Sequence, residues 1–424
     1  MRLKIAVMFG GASVEHEVAV ISGIQAFMNL DTNKYEPIPI YLTKDGEMYT
    51  GPDIGKIENY KNIPGLLARS KRVILAREGG DVYIVPFPRP AKKGPVTGLL
   101  DSLFGNLFSV EGKGSGNQAR IGKIRSSESI RIDLAFPIVH GKHVEDGTIA
   151  GYLRMLGVPF VGPDVGASAL GMDKYASKVV LQEAGVPVLP GICFNTADYM
   201  DVDRIMDRVE EKLGYPVIVK PVDLGSSVGI SVARDRAALA DSLDNAFTYA
   251  HTVLVEHAIT KLREINCAVL GDDREAIASE CEEPMHTDEI LSYRDKYQRG
   301  GSGKGGGSKG MAGVSRKIPA ELSPEKRAYV RELAVRSFQA LGCSGVARID
   351  FMIDEENGEL YFNEINTIPG SLSFYLWEPL GIKYPELLDR LIGLALARER
   401  EEETLTFSFD SNLLDGASLS GAKK

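Results

Sequence analysis

The side chains best suited to chemistry stand in two short runs, Ala347-Arg348-Ile349-Asp350-Phe351 and Phe362-Asn363-Glu364-Ile365-Asn366-Thr367. In extended chain, residues two apart share a face. Arg348 and Asp350, and likewise Glu364 and Asn366, therefore point one way while Ile349 and Ile365 point the other. Oxygens converging from Asp350, Glu364 and Asn366 form a hard donor set suited to Mg2+ that also holds phosphates. A solvated sheet face with an ion pair would use the same residues. A metal set places a demand on the hairpin joining the two runs. Opposite residues share a face, so Asp350 meets Glu364 only across a loop with an odd number of residues, and three or five are expected. A two-residue turn at Asn357-Gly358 without a bulge would set Asp350 against Ile365 instead.

A second cluster is Val217-Ile218-Val219-Lys220-Pro221 followed by Gly225-Ser226-Ser227-Val228-Gly229. A lysine ending a buried strand beside a Gly/Ser turn can hold phosphate with its ammonium and with backbone N–H groups. The lysine precedes the glycines and no helix obviously follows, so this is no Walker loop. A plain hairpin turn has the same grammar. Lys174, in Met172-Asp173-Lys174, is a further candidate cation at the head of a long helix, where a solvated lysine is the alternative. Glu15 stands at a helix start, favoured there by the helix dipole. His140 lies in a loop shortly before Glu145-Asp146-Gly147.

These groups need a scaffold. A buried run Lys4 to Phe9, the break Gly10-Gly11 and a helix from about Glu15 to Leu30 with Ser13 as N-cap read as an α/β entry. Strands at 38–42, 82–87, 134–139 and 158–161, with a helix at 148–156, predict a parallel, helix-covered sheet. One amphipathic helix is expected from Ser168 to about Glu183, ending at Gly185. Strands at 217–221 and 252–256 open a second, mixed α+β unit. A third holds strands at 265–270 and 274–279, a helix after Ser323-Pro324, the hairpin 345–354 with 359–366, and a last helix from Pro385 to about Arg400. The fold class is thus α/β and α+β. Domains are expected at 1–168 (with an insertion at about 88–129), 169–257 and 258–402, followed by a polar tail, 403–424.

Composition narrows the function. Lys+Arg 49 against Asp+Glu 58 leaves a net charge of −9, which argues against nucleic acid as a partner. No apolar stretch approaches a membrane span, and the opening residues are too short an apolar run for a signal sequence. The four cysteines, Cys193, Cys267, Cys281 and Cys343, show no C-x-x-C spacing. A cytoplasmic protein with no membrane partner is expected. The 45 glycines, roughly 11% against an average near 7%, concentrate at Gly10-Gly11, Gly225 to Gly229, Arg299 to Gly313 and the insertion, so they mark particular turns and loops.

In order and spacing the motifs resemble the D-alanine–D-alanine ligases of the ATP-grasp superfamily, over nearly the whole chain apart from the insertion and the tail. The resemblance rests on Gly10-Gly11-Ala12-Ser13-Val14-Glu15-His16-Glu17-Val18, His140-Gly141 with Glu145-Asp146-Gly147, and Met172-Asp173-Lys174. It continues through Val219-Lys220-Pro221, Gly225-Ser226-Ser227-Val228-Gly229, Lys296-Tyr297, Arg348-Ile349-Asp350 and Glu364-Ile365-Asn366-Thr367 before Pro369-Gly370.

The resemblance implies an ATP-grasp architecture, with an N-terminal parallel α/β domain and two mixed units enclosing ATP. It also implies ligation of two D-alanines for peptidoglycan synthesis and cell-wall biogenesis. Lys174 and Lys220 would hold the α- and β-phosphates, with the Gly225 to Gly229 loop, Ser227 included, over the γ-phosphate. Glu256 would take the adenine amino group, with Ile259 in the hinge, and Glu264 the ribose. Asp350, Glu364 and Asn366 would hold Mg2+ or Mn2+, two ions in all. Glu15 would bind the first ammonium, linked to Ser226 and Tyr297. His140, oriented by Glu145, would lie by the first carboxylate. Arg348 would serve the oxyanion and Lys296 the transferred phosphoryl group, with Gly370 among the catalytic residues, beneath a mobile loop at about 298–314. A homodimer built through the N-terminal domain is implied.

One departure from the family stands out. Where the family usually has a threonine and a serine for the second substrate's carboxylate, this chain runs Ser371-Leu372-Ser373-Phe374-Tyr375, leaving Ser371 and the Tyr375 phenol as candidates. Alternatives are therefore a ligase with a D-lactate, D-serine or other amine acceptor, or a nucleotide-binding protein without catalysis.

Overall fold

The computed structural model describes residues 2–87, 128–285 and 316–407. Nearly all of the expected insertion, the loop at 298–314, Lys296 and Tyr297, and the tail beyond 407 lie outside these residues.

Strands β1 (Leu3–Gly10), β2 (Tyr35–Leu42), β3 (Met48–Thr50), β4 (Lys71–Glu78), β5 (Asp81–Pro86), β6 (Ile130–Ile132) and β7 (Leu134–Val139) form one sheet in the order β6-β5-β4-β3-β2-β1-β7. The sheet is mixed. β1 runs parallel to β2 and β7, as expected, because the helix His16–Asn29 carries the chain back across the sheet. From β2 to β6 neighbouring strands are antiparallel. For β2 to β3 and β4 to β5 the short links 43–47 and Gly79-Gly80 permit only a reversal. The strand expected at 158–161 reduces to one bridge between Phe160 and Ala135. Ser13 does not cap the first helix; Glu15 holds the N-cap position, and the Ser13 hydroxyl donates to the His140 carbonyl at 2.6 Å.

β8 (Gly191–Asn195), β9 (Val217–Pro221), β10 (Ser231–Ala233) and β11 (Thr252–His257) make an antiparallel sheet ordered β10-β9-β11-β8. Val217, Val219, Val253 and Val255 pack beneath Val209 and Leu243 of two covering helices. Alternation along the strands puts Lys220 and Glu256 on the opposite face.

β12 (Leu262–Gly271), β13 (Ala276–Pro284), β14 (Arg316–Lys317), β15 (Gly345–Asp354) and β16 (Glu359–Asn366) form the third sheet, ordered β14-β13-β12-β15-β16. The helix Pro324–Ala340, with Ser323 as N-cap and proline in its first turn, buries Val330, Leu333 and Phe338 against Ile265, Ile349 and Phe351. The polar face of this sheet is left for the site.

Two local expectations change. The single helix from Ser168 is two, Val165–Met172 and Lys174–Glu183, broken at Asp173, which adopts extended backbone. Its carboxylate accepts from the N–H groups of Tyr175 and Ala176, which starts the second helix at Lys174. The hairpin loop has four residues, 355–358, instead of three or five. Four alone would misalign the strands. The register shifts at Asn363, so Phe351 faces Phe362 while Asp350 faces Glu364. This bulge adds the residue that parity requires and turns Asn363 and Glu364 to the same side.

Candidate active site

The register aligns four polar residues in one lateral row across the third sheet: Glu282 on β13 opposite Asn266 on β12, Asn266 opposite Asp350 on β15, and Asp350 opposite Glu364 on β16. Arg348 and Asn366 form the next pair on this face of the hairpin, beyond Ile349 and Ile365. Arg348 grips Asp350 bidentately at 2.7 Å through both Nε and Nη2, and Asn366 Nδ2 donates to Asp350 Oδ2 at 3.0 Å. Burial pushes the Asp350 carboxyl up and Arg348 opposes that, while Glu364 and Glu264 add to the negative field. Burial disfavours the Arg348 charge, but Asp350 more than compensates, and the guanidinium stays ionised.

Cations gather on the polar face of the second sheet and on the helix Lys174–Glu183, whose Leu181 packs into the core of the third sheet. Lys220 Nζ lies 2.9 Å from Glu256 Oε2 and donates to Asn363 Oδ1 at 3.0 Å. Lys178 binds the other oxygen of Glu256. Glu256 is fully buried; burial would raise its pKa, yet the two lysines hold it below the usual carboxylate range. Both oxygens thus face ammonium groups, a different engagement from the adenine amino group expected for this side chain. Lys174 donates to the Leu224 carbonyl at 2.7 Å and lies 3.2 Å from Glu364 Oε2. The two walls therefore touch, cation against oxygen.

The Gly225 to Gly229 loop closes one end. Ser226 and Ser227 take left-handed backbone, φ 55° and 58°. The Ser226 hydroxyl donates to Glu15 Oε1, the link implied by the resemblance. A Cβ on Gly225 would come within 2.7 Å of Glu15 Oε2, which accounts for glycine there. Lys142 reaches Asp223 at 2.5 Å, tying this loop to the N-terminal domain.

Four residues expected at the substrate are redirected. His140 is buried and its pKa falls to about 4, chiefly through burial. Its Nδ1, 2.7 Å from the Ile368 carbonyl, carries the proton, and Nε2 accepts from Ser22 Oγ at 3.1 Å. Glu145 does not orient His140. It accepts from the N–H groups of Gly141 and Ile368, both at 2.9 Å, and from the Thr367 hydroxyl at 3.1 Å. Burial, with Glu15 nearby, raises its pKa to about 7.

Ser371 turns its hydroxyl onto Gln25 at 2.6 Å and its N–H onto Ser22. The Tyr375 phenol donates to Glu282 at 3.1 Å instead of standing free for a substrate carboxylate, and its ring stacks under Arg316. Burial first, then Glu282, pushes this phenol up to about 12. Glu264 lies on β12 two residues from Asn266, and Ile259 in the link from β11 to β12, both half-buried. Gly370 opens the segment that carries Ser371 and Tyr375.

Among the described residues no three His, Cys, Asp or Glu side chains are grouped to hold a metal ion. The set here is two carboxylates and an amide, facing one another across the hairpin beside buried lysines. That chemistry suits a hard divalent cation that also contacts phosphate. Arg348 supplies the balancing charge at Asp350.

Asn363, Lys178, Asn266 and Glu282 escape sequence reasoning. For the first two a signal exists. Phe-Asn-Glu-Ile breaks strict alternation, as a bulge does, and Lys178 lies one helical turn beyond Lys174.

Comparison with known proteins agrees in extent and kind. The family model described as D-ala D-ala ligase N-terminus matches residues 4–163, and that described as D-ala D-ala ligase C-terminus matches 180–393. A D-alanine--D-alanine ligase of Acetivibrio thermocellus is 39% identical over 403 residues, covering 93% of this chain and 96% of that protein. One from Geobacillus kaustophilus is 33% identical, covering 96% and 99%. Among solved structures, the VanG D-Ala:D-Ser ligase of Enterococcus faecalis is similar at TM-score 0.70 and 30% identity, covering 93% of this chain and all of that one. A D-alanine-D-alanine ligase of Coxiella burnetii is similar at 0.70 and 27%, covering 95% and 96%.

Proposed function

The chain belongs to the D-ala D-ala ligase family, and on that premise we propose that it is an ATP-dependent ligase joining two D-alanines through the residues described above. The observation that carries the residue assignment is the meeting of the two walls. Lys174 touches Glu364 and Lys220 touches Asn363, so phosphate-type cations and metal-type oxygens converge at one place.

In the proposed reaction the carboxylate of the first D-alanine attacks the γ-phosphorus of ATP, giving an acylphosphate and ADP. The amine of the second D-alanine attacks that carbonyl. Phosphate leaves from the tetrahedral intermediate, and the peptide remains.

Lys174 and Lys220 hold the α- and β-phosphates, and Ser227 with its loop covers the γ-phosphate. Glu15, steadied by Ser226, binds the first ammonium, and Arg348 donates to the oxyanion as charge develops. Asp350, Glu364 and Asn366 would hold Mg2+ or Mn2+, which when bound spreads the phosphate charge. His140 holds the Ile368 carbonyl while Glu145 holds the Ile368 N–H and the Thr367 hydroxyl, and together they keep the strand end in place. We place the enzyme in the cytoplasm as a homodimer that supplies peptidoglycan precursors. No helix among the described residues is long and apolar enough to cross a membrane.

The test is mass spectrometry of products formed from ATP, Mg2+ and a panel of D- and L-amino acids and D-lactate. D-alanyl-D-alanine with ADP and phosphate is expected. An L,L product, or ATP binding without any product, overturns the reading. The redirected Ser371 and Tyr375 favour one second reading, the same activation step with D-serine or D-lactate as acceptor. A mixed dipeptide or depsipeptide in the same spectra would select it.

A further inference from the structure

Lys178 has no part in the reaction outlined above, yet it is buried more deeply than a helix lysine needs to be. Its side chain is 6% exposed, and its ammonium lies on Glu256. It follows Lys174 by four residues in the helix Lys174–Glu183, where two like charges oppose helix formation. A lysine kept buried and next to another cation needs a reason other than helix stability.

The reason is in the charges around it. Three ammonium groups, Lys174, Lys178 and Lys220, share two carboxylates, Glu256 and Glu364. Glu256 is divided: Lys178 holds Oε1, and Lys220 approaches Oε2 at 2.9 Å while its Nζ also reaches Asn363 across the cleft. With Lys178 in place, Glu256 is already half neutralised and does not draw Lys220 wholly back into the second sheet. Among these five groups alone, three ammonium charges meet two carboxylates.

We infer that Lys178 is a positioning residue for the nucleotide's phosphates, acting through Glu256 to keep the Lys220 ammonium presented at the cleft. The inference rests on the reading that this cleft takes ATP. Burial, partly offset by Glu256 and helped by Lys220, lowers Lys178 to about 8.

Titration calorimetry of the full-length protein with ADP and Mg2+ tests this, using the wild type, Lys178→Met, Glu256→Gln and the double variant. Lys178→Met should weaken ADP at least tenfold while leaving the KM for D-alanine within twofold of wild type. In the Glu256→Gln background the same change should cost less than threefold, because the carboxylate it restrained is gone. ADP affinity unchanged in Lys178→Met, or an equal loss in both backgrounds, overturns the inference. If Lys178→Met does not fold, the Glu256→Gln pair decides alone. A tenfold loss there refutes action through Glu256, and less than threefold supports it. A wild-type chain that binds no ADP removes the nucleotide reading, and the inference with it. Failure of the variants alone leaves that reading standing.

Discussion

The second and third sheets face each other with opposite chemistry, and the difference shows how the work is divided. The second sheet and its adjoining helix present lysines around one shared carboxylate. The third presents a row of carboxylates and amides with two guanidinium groups, Arg348 on Asp350 and Arg316 on Glu282. The chemistry of the first wall would suit a polyphosphate, and that of the second a hard cation. A reaction that moves a phosphoryl group onto a carboxylate needs both, and each wall's charge is only partly neutralised by the other.

The comparison breaks most visibly at Arg348. Arg348→Met should lower kcat about 10²–10³-fold, the usual cost of one oxyanion donor. It should also cost about 3–5 kcal/mol of stability, because Asp350 would remain buried without its partner. Turnover and urea denaturation together check this; lost activity at full stability would mean that Asp350 is compensated elsewhere. On the lysine wall, Lys220→Met should raise the KM for ATP about 10- to 100-fold, the range for a hydrogen bond to a charged group worth about 1.5–3 kcal/mol. The KM for D-alanine should not follow. If both rise together, the walls are not separable.

A third prediction concerns two buried groups that belong to neither wall. Glu145, raised to about 7, is protonated in the fold where the unfolded chain is ionised, so by itself it makes stability fall as pH rises from 4.5 to about 7. His140, lowered to about 4, is neutral where the unfolded chain is charged, so by itself it makes stability fall as pH drops from 6.5 to about 4. Between 4.5 and 6.5 the two cancel. Glu145→Gln should therefore leave stability rising with pH, and His140→Gln should leave it falling, each by up to about 1.4 kcal/mol per pH unit. Equal signs in the two variants would refute the neutral assignments. The smallest effect is expected at Glu15. Glu15→Gln should raise the KM for D-alanine about fivefold, the size of a half-exposed ion pair near 1 kcal/mol. Its Tm should hardly move, since the side chain makes no cap bond and glutamine keeps an oxygen that can accept from Ser226.

The hairpin shows how far sequence reading reaches. The strand limits Gly345–Asp354 and Glu359–Asn366, and the shared face of Arg348 and Asp350, follow from alternation. The loop length does not. Parity was expected from an odd loop and is supplied by a bulge at Asn363, because an inserted residue in either place satisfies the same geometric rule. The bulge also turns Asn363 onto Lys220, a contact between two sheets whose approach no local pattern encodes. Similarly, Tyr375 occupies a position whose family partner suggested a substrate carboxylate. Which acceptor its phenol finds depends on β13 bringing Glu282 beside it.

The sequence by itself determined part of the elements and the kinds of groups on them: strand alternation, caps such as Ser323, and the types of residue able to hold phosphate, metal oxygen or ammonium. These depend on neighbours one to four residues away, where backbone geometry is fixed. Only the tertiary structure decided who neutralises whom. Glu256 is shared by Lys178 and Lys220, Glu364 meets Lys174, and Glu145 serves the Ile368 backbone instead of His140. Pairings of buried charge depend on distances across separate sheets and on exclusion of water, and both exist only once the sheets have packed.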